Sequence, residues 1–265
     1  MRQTRAGAGL ASPPGLGYTA ANPSGQTMYQ ASPGPLWRAS IVLLFLAFLA
    51  QPAGAVDLRL ARALALEAPG LSGPVLKRAL AAVRCAEAGG LEPARTLAVI
   101  DFSLPSSQPR LWIFDLAEQR LLLRELVAHG QGSGGNRATR FSNVEGSHQS
   151  SIGLFRTAES YVGKHGYSLR MDGLEPGIND AARQRAIVIH GADYVAPDWI
   201  DRQGRIGRSL GCPAVPRQVA DQVVDSLKDG QFLFSWYPDP DWLMASDYLN
   251  CPAARLAGLG TNTGS

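Results

Sequence analysis

Cysteine is scarce in this chain: Cys85, Cys212 and Cys251 are the only three among 265 residues, so at most one internal pair can form, in three possible ways. Long apolar runs are missing too. The longest, Ile41 to Ala50, has ten residues, too few to cross roughly 30 Å of hydrocarbon as a permanent helix. A net excess of charge is also lacking over most of the length. The formal charge of +3 is carried entirely by Arg2, Arg5 and Arg38 within residues 1–55, and the remainder balances 22 basic against 22 acidic side chains. A nucleic-acid partner needs a concentrated basic surface, and none is indicated. Neither a P-loop nor a dinucleotide fingerprint occurs, which disfavours a nucleotide role. The four histidines, His129, His148, His165 and His190, include no i,i+4 pair of the kind a helical zinc site uses. No metal and no cofactor are implied.

What is present suits one sizeable folded unit, since 45% of residues are hydrophobic and 18% charged. Residues 1–36 are dominated by Gly, Pro, Ser and Ala and cannot build a core. Arg38, the apolar run and then Ala53-Gly54-Ala55 form the basic, apolar and small-x-small parts of a secretory signal. Residues 1–55 are therefore read as a signal-peptide region cleaved near Ala55, with Met28 as an alternative true start. The chain is expected to be periplasmic or otherwise exported, with no stable transmembrane span.

Residues 56–95 read as a helical segment. Asp57 to Leu64 is rich in Ala and Leu. Ser72 is placed to cap a second helix with Pro74 in its first turn, and Val75, Leu76, Ala79, Leu80, Val83 and Ala86 repeat at helical spacing until Gly89-Gly90. These helices are expected to cover one side of a sheet. From residue 96 the period shortens. Leu97–Phe102 and Leu111–Asp115 read as a hairpin, Leu121–Val127 as a third strand, and Gly153–Thr157, Ser168–Met171, Ala186–His190 and Gln231–Trp236 as further strands. Arg217 to Lys228 carries Val219, Val223, Val224 and Leu227 on one helical stripe ended by Gly230. The expected fold is mainly β, a barrel or sandwich with N-terminal helices and one late helix. Residues 96–237 are expected to form the main domain, with 238–265 as a C-terminal tail.

Two segments carry chemistry. Ile187-Val188-Ile189-His190-Gly191 delivers an imidazole to a strand end, beside a glycine that lets the backbone turn. Ser209-Leu210-Gly211-Cys212-Pro213 holds a thiol in a tight turn, where nearby N–H groups can face a tetrahedral oxyanion. Read alone, the cysteine can equally be a small buried hydrophobe, and the histidine a hydrogen-bonded turn residue.

Taken together, His190-Gly191 and Ser209-Leu210-Gly211-Cys212 resemble the His-Gly … Ser-x-Gly-Cys signature of the YkuD-like L,D-transpeptidases, in particular the murein L,D-transpeptidase catalytic domain family. The resemblance spans about residues 97–237 and includes Val127-Ala128-His129-Gly130, Phe141-Ser142-Asn143, Gly146-Ser147, Ser150-Ser151-Ile152-Gly153, Tyr161 to Gly166, Asn179-Asp180 and Arg205 to Val215. Two blocks depart from commoner members: Pro213 to Pro216 intervenes between Cys212 and Arg217, and Ser150-Ser151 stands where Thr-Pro is usual.

The resemblance implies a peptidoglycan-remodelling enzyme with Cys212 as nucleophile and His190 as base. The Gly191 carbonyl would be the histidine's partner, so Asp193 is not needed as a third member. The Gly211 and Cys212 N–H groups would be oxyanion donors. It further implies attack on the diaminopimelate carbonyl of a tetrapeptide stem, release of D-alanine, and transfer of the thioester to an amine or to water. His129, Asn143, Lys164, His165, Arg205, Arg208 and Ser209 are the expected substrate-binding residues; for the histidines and arginines, ordinary loop-ordering roles are the alternative. A nucleophilic Cys212 must stay reduced, which leaves Cys85–Cys251 as the useful pairing in an oxidising compartment, the alternative being two buried free thiols. Oligomeric state is not set by these residues.

Overall fold

The computed structural model describes residues 53–253; the apolar run, the candidate start at Met28 and the rest of the expected signal-peptide region up to residue 52 lie outside the described residues. The described chain opens with helices α1 (Ala53–Glu67) and α2 (Gly73–Ala88). Strands β1 (Thr96–Asp101), β2 (Leu111–Asp115) and β3 (Arg120–Glu125) follow as an antiparallel meander, including the expected hairpin. After a long polar loop come β4 (Gly153–Gly163), β5 (Gly166–Gly173) and β6 (Val188–Ala192). Helix α3 (Pro197–Gln203), strand β7 (Ala214–Pro216), helix α4 (Ala220–Leu227), strand β8 (Phe232–Trp236) and helices α5 (Pro240–Ala245) and α6 (Asp247–Asn250) complete it.

All eight strands join one mixed sheet in the order β3-β2-β1-β8-β4-β5-β6-β7. The pairs β1–β8 and β6–β7 are parallel and the others antiparallel. The segment just after edge strand β3 returns to the opposite edge, where Ala128 bridges Ala214 of β7. The sheet is thereby curled into a near-barrel, and this closure has its own small apolar cluster of Leu126, Ala128, Ala192, Val195, Ile206 and Ala214.

Central strand β1 is buried at every position, because both faces of the sheet are covered. Leu97 and Val99 face a core formed with Leu64 of α1, Leu76, Leu80 and Val83 of α2, and Trp242 of α5. Ala98 and Ile100 face the other side, against Val223, Val224 and Leu227 of α4. Ser72 occupies the N-cap position of α2 and its carbonyl receives the Leu76 N–H at 3.0 Å, but its hydroxyl makes no capping bond.

The expectation of one late helix is corrected. Among the described residues three α-helices follow β7, and α3 precedes it. The two that follow β8 begin at local caps: Asp239 Oδ1 accepts the Trp242 N–H at 2.9 Å and Ser246 Oγ accepts the Leu249 N–H at 3.2 Å. Both are too short to show apolar periodicity. Trp242 anchors them, packing against Phe234 and Trp236 and donating its Nε1–H to the buried Glu175 carboxylate at 2.8 Å. Among the described residues, no helix is long and apolar enough to cross a membrane.

Candidate active site

His190 is the central residue of β6, which is buried throughout, rather than the strand's last residue. Its neighbours across the ladder are Ser168 of β5 and Ala214 of β7. Ring Nδ1 lies 3.0 Å from the Gly191 carbonyl. A carbonyl only accepts, so Nδ1 carries the proton and Nε2 is the free basic nitrogen. Gly191 therefore supplies an acceptor, but it does not turn the chain: it sits within the strand. A Cβ there would come within 2.7 Å of the Ala220 Cβ and 3.2 Å of the Arg217 Cα, so close packing is what requires glycine. Burial lowers the His190 pKa. The Gly191 bond opposes this, while the charges of His165, Arg217 and Lys164 reinforce it. At neutral pH the imidazole is an unprotonated base.

The Cys212 turn is tied from within. Ser209 Oγ donates to the Cys212 carbonyl at 2.6 Å and accepts the Gly211 N–H at 3.1 Å. Gly211 has φ of 131°, a conformation open to glycine. Its carbonyl accepts from Ser150 Oγ at 2.9 Å. The half-buried sulfur accepts the Val188 N–H at 3.4 Å and lies 3.7 Å from the Ala186 carbonyl. Val188 is two residues before His190 on the same strand, so the thiol rests against the strand that carries the imidazole. The hydrogen bonds of Sγ within the described residues are to this backbone rather than to the ring. Burial raises the thiol pKa, opposed by the Val188 N–H and by the charges of Arg185 and Lys164. The resting pair is thus a neutral thiol and a neutral base.

Two more expected residues gather here. The β4–β5 hairpin tip brings Lys164 and His165, and the His165 ring stacks on that of His190 with centroids 4.4 Å apart and planes 24° apart. Others are placed differently. His129 is fully buried behind the turn, where Arg110 Nη2 lies 2.7 Å from its Nδ1, and burial pushes its pKa down to about 3. That burial packs His129 out of reach of solvent. Asn143 is engaged internally, donating to Asp180 at 2.7 Å and accepting the Ala181 N–H at 3.0 Å. Arg208 donates to the Gly134 carbonyl at 2.7 Å and Arg205 to that of Ile206 at 2.8 Å. Ser209 braces the turn. The Gly211 N–H is already given to Ser209 Oγ, which leaves the Cys212 N–H as the candidate oxyanion donor of the two. Asp193 does not orient the histidine; it is exposed and forms a two-point pair with Arg217, at 2.6 and 3.0 Å. Cys85 and Cys251 are joined as a disulfide with Cα atoms 6.1 Å apart, and Cys212 is free.

Sequence reasoning passed over Arg110 and Arg185. Arg110 is fully buried, with the Val127 and Leu104 carbonyls as acceptors. Arg185 reaches the loop behind the thiol. The available signal was position alone: each arginine lies directly before, or two residues before, an apolar run.

Among solved structures the chain is similar to an L,D-transpeptidase from Mycobacterium smegmatis, at 13% identity and a TM-score of 0.34, covering 54% of this chain and 59% of that one. An L,D-transpeptidase from Mycobacterium tuberculosis H37Rv gives 12% identity and 0.32, over 54% and 58%. One from Stackebrandtia nassauensis gives 14% and 0.32, over 69% and 92%. The chain thus spans less than two thirds of either mycobacterial protein's length, and likenesses at these scores carry no argument about function. No curated protein matches the chain. The sequence model of the L,D-transpeptidase catalytic domain family matches residues 67–236, well over half of the chain, and the chain belongs to that family.

Proposed function

We propose that this protein is an exported cysteine acyltransferase that forms a thioester at Cys212 with peptidoglycan stem peptides. His190 Nε2 takes the thiol proton as sulfur attacks the carbonyl of the third stem residue, a diaminopimelate. Collapse of the tetrahedral adduct returns that proton to the departing amine of D-alanine. A neighbouring stem amine then resolves the thioester as a cross-link, or water resolves it as a tripeptide. The observation that carries this reading is the Nδ1–H bond from His190 to the Gly191 carbonyl. It selects the tautomer with a basic Nε2 and so makes a carboxylate third member unnecessary. Lys164 and His165, at the hairpin tip beside the imidazole, would meet the carboxylates of such a stem. The Cys212 N–H, which lies beside its own sulfur, suits the oxyanion.

The test is incubation of the protein with diaminopimelate-containing tetrapeptide muropeptides, followed by intact mass measurement. Wild type should gain the mass of the stem less alanine, and Cys212→Ala should gain nothing. A wild-type protein that never acquires an adduct, or a Cys212→Ala variant with full turnover, would overturn the reading. Product analysis for dimers against tripeptides then identifies the acceptor.

A further inference from the structure

The polar loop between β3 and β4 converges on one side chain. Arg185 Nη1 donates to the Ser142 carbonyl and to Ser151 Oγ, both at 2.6 Å. Its Nη2 donates to the Gln149 carbonyl at 2.7 Å and to Ser147 Oγ at 3.2 Å. Asn143 ties the same loop to the turn at 180–181, just upstream of this arginine. All four acceptors of Arg185 are neutral oxygens. No carboxylate among the described residues pairs with it, in contrast to Arg183 two residues earlier, which is bonded to Glu159 and Asp172.

This unneutralised cation stands against the nucleophile turn. A Cβ built on Gly211 would lie 3.7 Å from Arg185 Nη2 and 3.0 Å from the Gln149 carbonyl that the guanidinium holds. Ala186, the next residue, has φ of 51° and aims its carbonyl at the sulfur. A half-buried positive charge with no counter-ion, standing against the turn whose thiol must ionise, lowers the cost of negative charge on sulfur.

We propose that Arg185 is a positioning residue for Cys212: it clamps the 142–151 loop against the Ser209–Cys212 turn and supplies the charge that compensates the developing thiolate. The other groups facing the sulfur cannot substitute for it. Lys164 is exposed on the hairpin tip, where solvent and salt screen it. His190 is neutral until it takes the thiol proton, and Tyr194 would add repulsion once ionised. The mutual electrostatic effect of Arg185 and Cys212, each favouring the other's charged form, is consistent with this role.

The inference rests on the reading of Cys212 as nucleophile but is tested without substrate, so a failed muropeptide assay and a failed test here are distinguishable. The rate of alkylation of Cys212 by iodoacetamide is measured from pH 6 to 10 in the full chain. Arg185→Gln should lower the rate at pH 8 about tenfold and move the inflection up by about one unit, and Arg185→Lys should recover most of the rate. Ser147→Asp keeps the arginine and its clamp but gives it a carboxylate partner. It should slow alkylation in the same direction, and Ser147→Asn should not. If Arg185→Gln does not fold, the Ser147 pair decides alone. Alkylation curves for the folded variants that coincide with wild type, or a Ser147→Asp curve that coincides with Ser147→Asn, would overturn the proposal.

Discussion

At the scale of single residues, the state of His190 decides the pH dependence. Its pKa is held below the ordinary value by burial and by nearby positive charge, so the free base persists to pH values below about 6.5 and is lost only on further acidification. The acid limb of kcat/KM for thioester formation should therefore inflect below pH 6.5. Lys164→Gln removes one of the charges that depress this pKa, and should move the acid limb to higher pH by a few tenths of a unit at low salt. The shift should disappear near 0.5 M salt, because Lys164 is exposed. A pH profile at two ionic strengths checks both statements; an unchanged limb at low salt would separate Lys164 from the imidazole. The adjacent His129 shows why residue type alone misleads. Its sequence block places it next to a glycine near the site, yet the Arg110 contact and full burial make it part of the support behind the turn.

At the scale of elements, the turn that bears the thiol depends on an opposed backbone. Gly130 faces Gly211 across it: a Cβ on Gly130 would fall 2.3 Å from the His148 carbonyl and 2.9 Å from the Gly211 Cα. Gly130→Ala must displace one of these strands of loop. It should cost about 1–3 kcal/mol of stability and lower acylation at least tenfold, read by urea unfolding and by adduct mass. Full activity in that variant would show that the turn tolerates movement. Elements of this kind were only partly legible in the sequence. Strands with two covered faces, such as those holding Leu97–Ile100 and Phe232–Phe234, announce themselves as continuous apolar runs. Strand β7, three residues long, does not. Helices α5 and α6 carried legible caps in Asp239-Pro240 and Ser246-Asp247 but were too short for periodicity to register.

At the scale of the whole molecule, α2 and the segment just after α6 are joined by the Cys85–Cys251 link across a sequence separation of 166 residues. A cross-link closing so long a loop restricts the unfolded chain strongly, and its loss costs about 2–5 kcal/mol. The Cys85→Ser, Cys251→Ser double variant should unfold at lower urea concentration by that amount. Both cysteines pack with the core on the helical side of the sheet, whereas the thiol lies at the β6–β7 edge, so acylation at 25 °C should be unchanged. A matching loss of acylation in still-folded protein would instead tie the bridge to the site.

Residue pattern was enough to read the chemistry available, a cysteine in a turn after glycine and an imidazole on an apolar strand, together with enough alternating and helical pattern to specify a β-rich core with N-terminal helices; which sulfur stays free came from the fold. Tertiary structure alone decided which polar side chains support that chemistry. Long-range hydrogen-bond partners, such as the Gly211 carbonyl for Ser150 and the 142–151 loop for Arg185, are chosen by strand register and by closure of the sheet at Ala128 and Ala214. Local pattern sets which face a residue occupies, while contacts between segments dozens of residues apart depend on how the whole sheet curls.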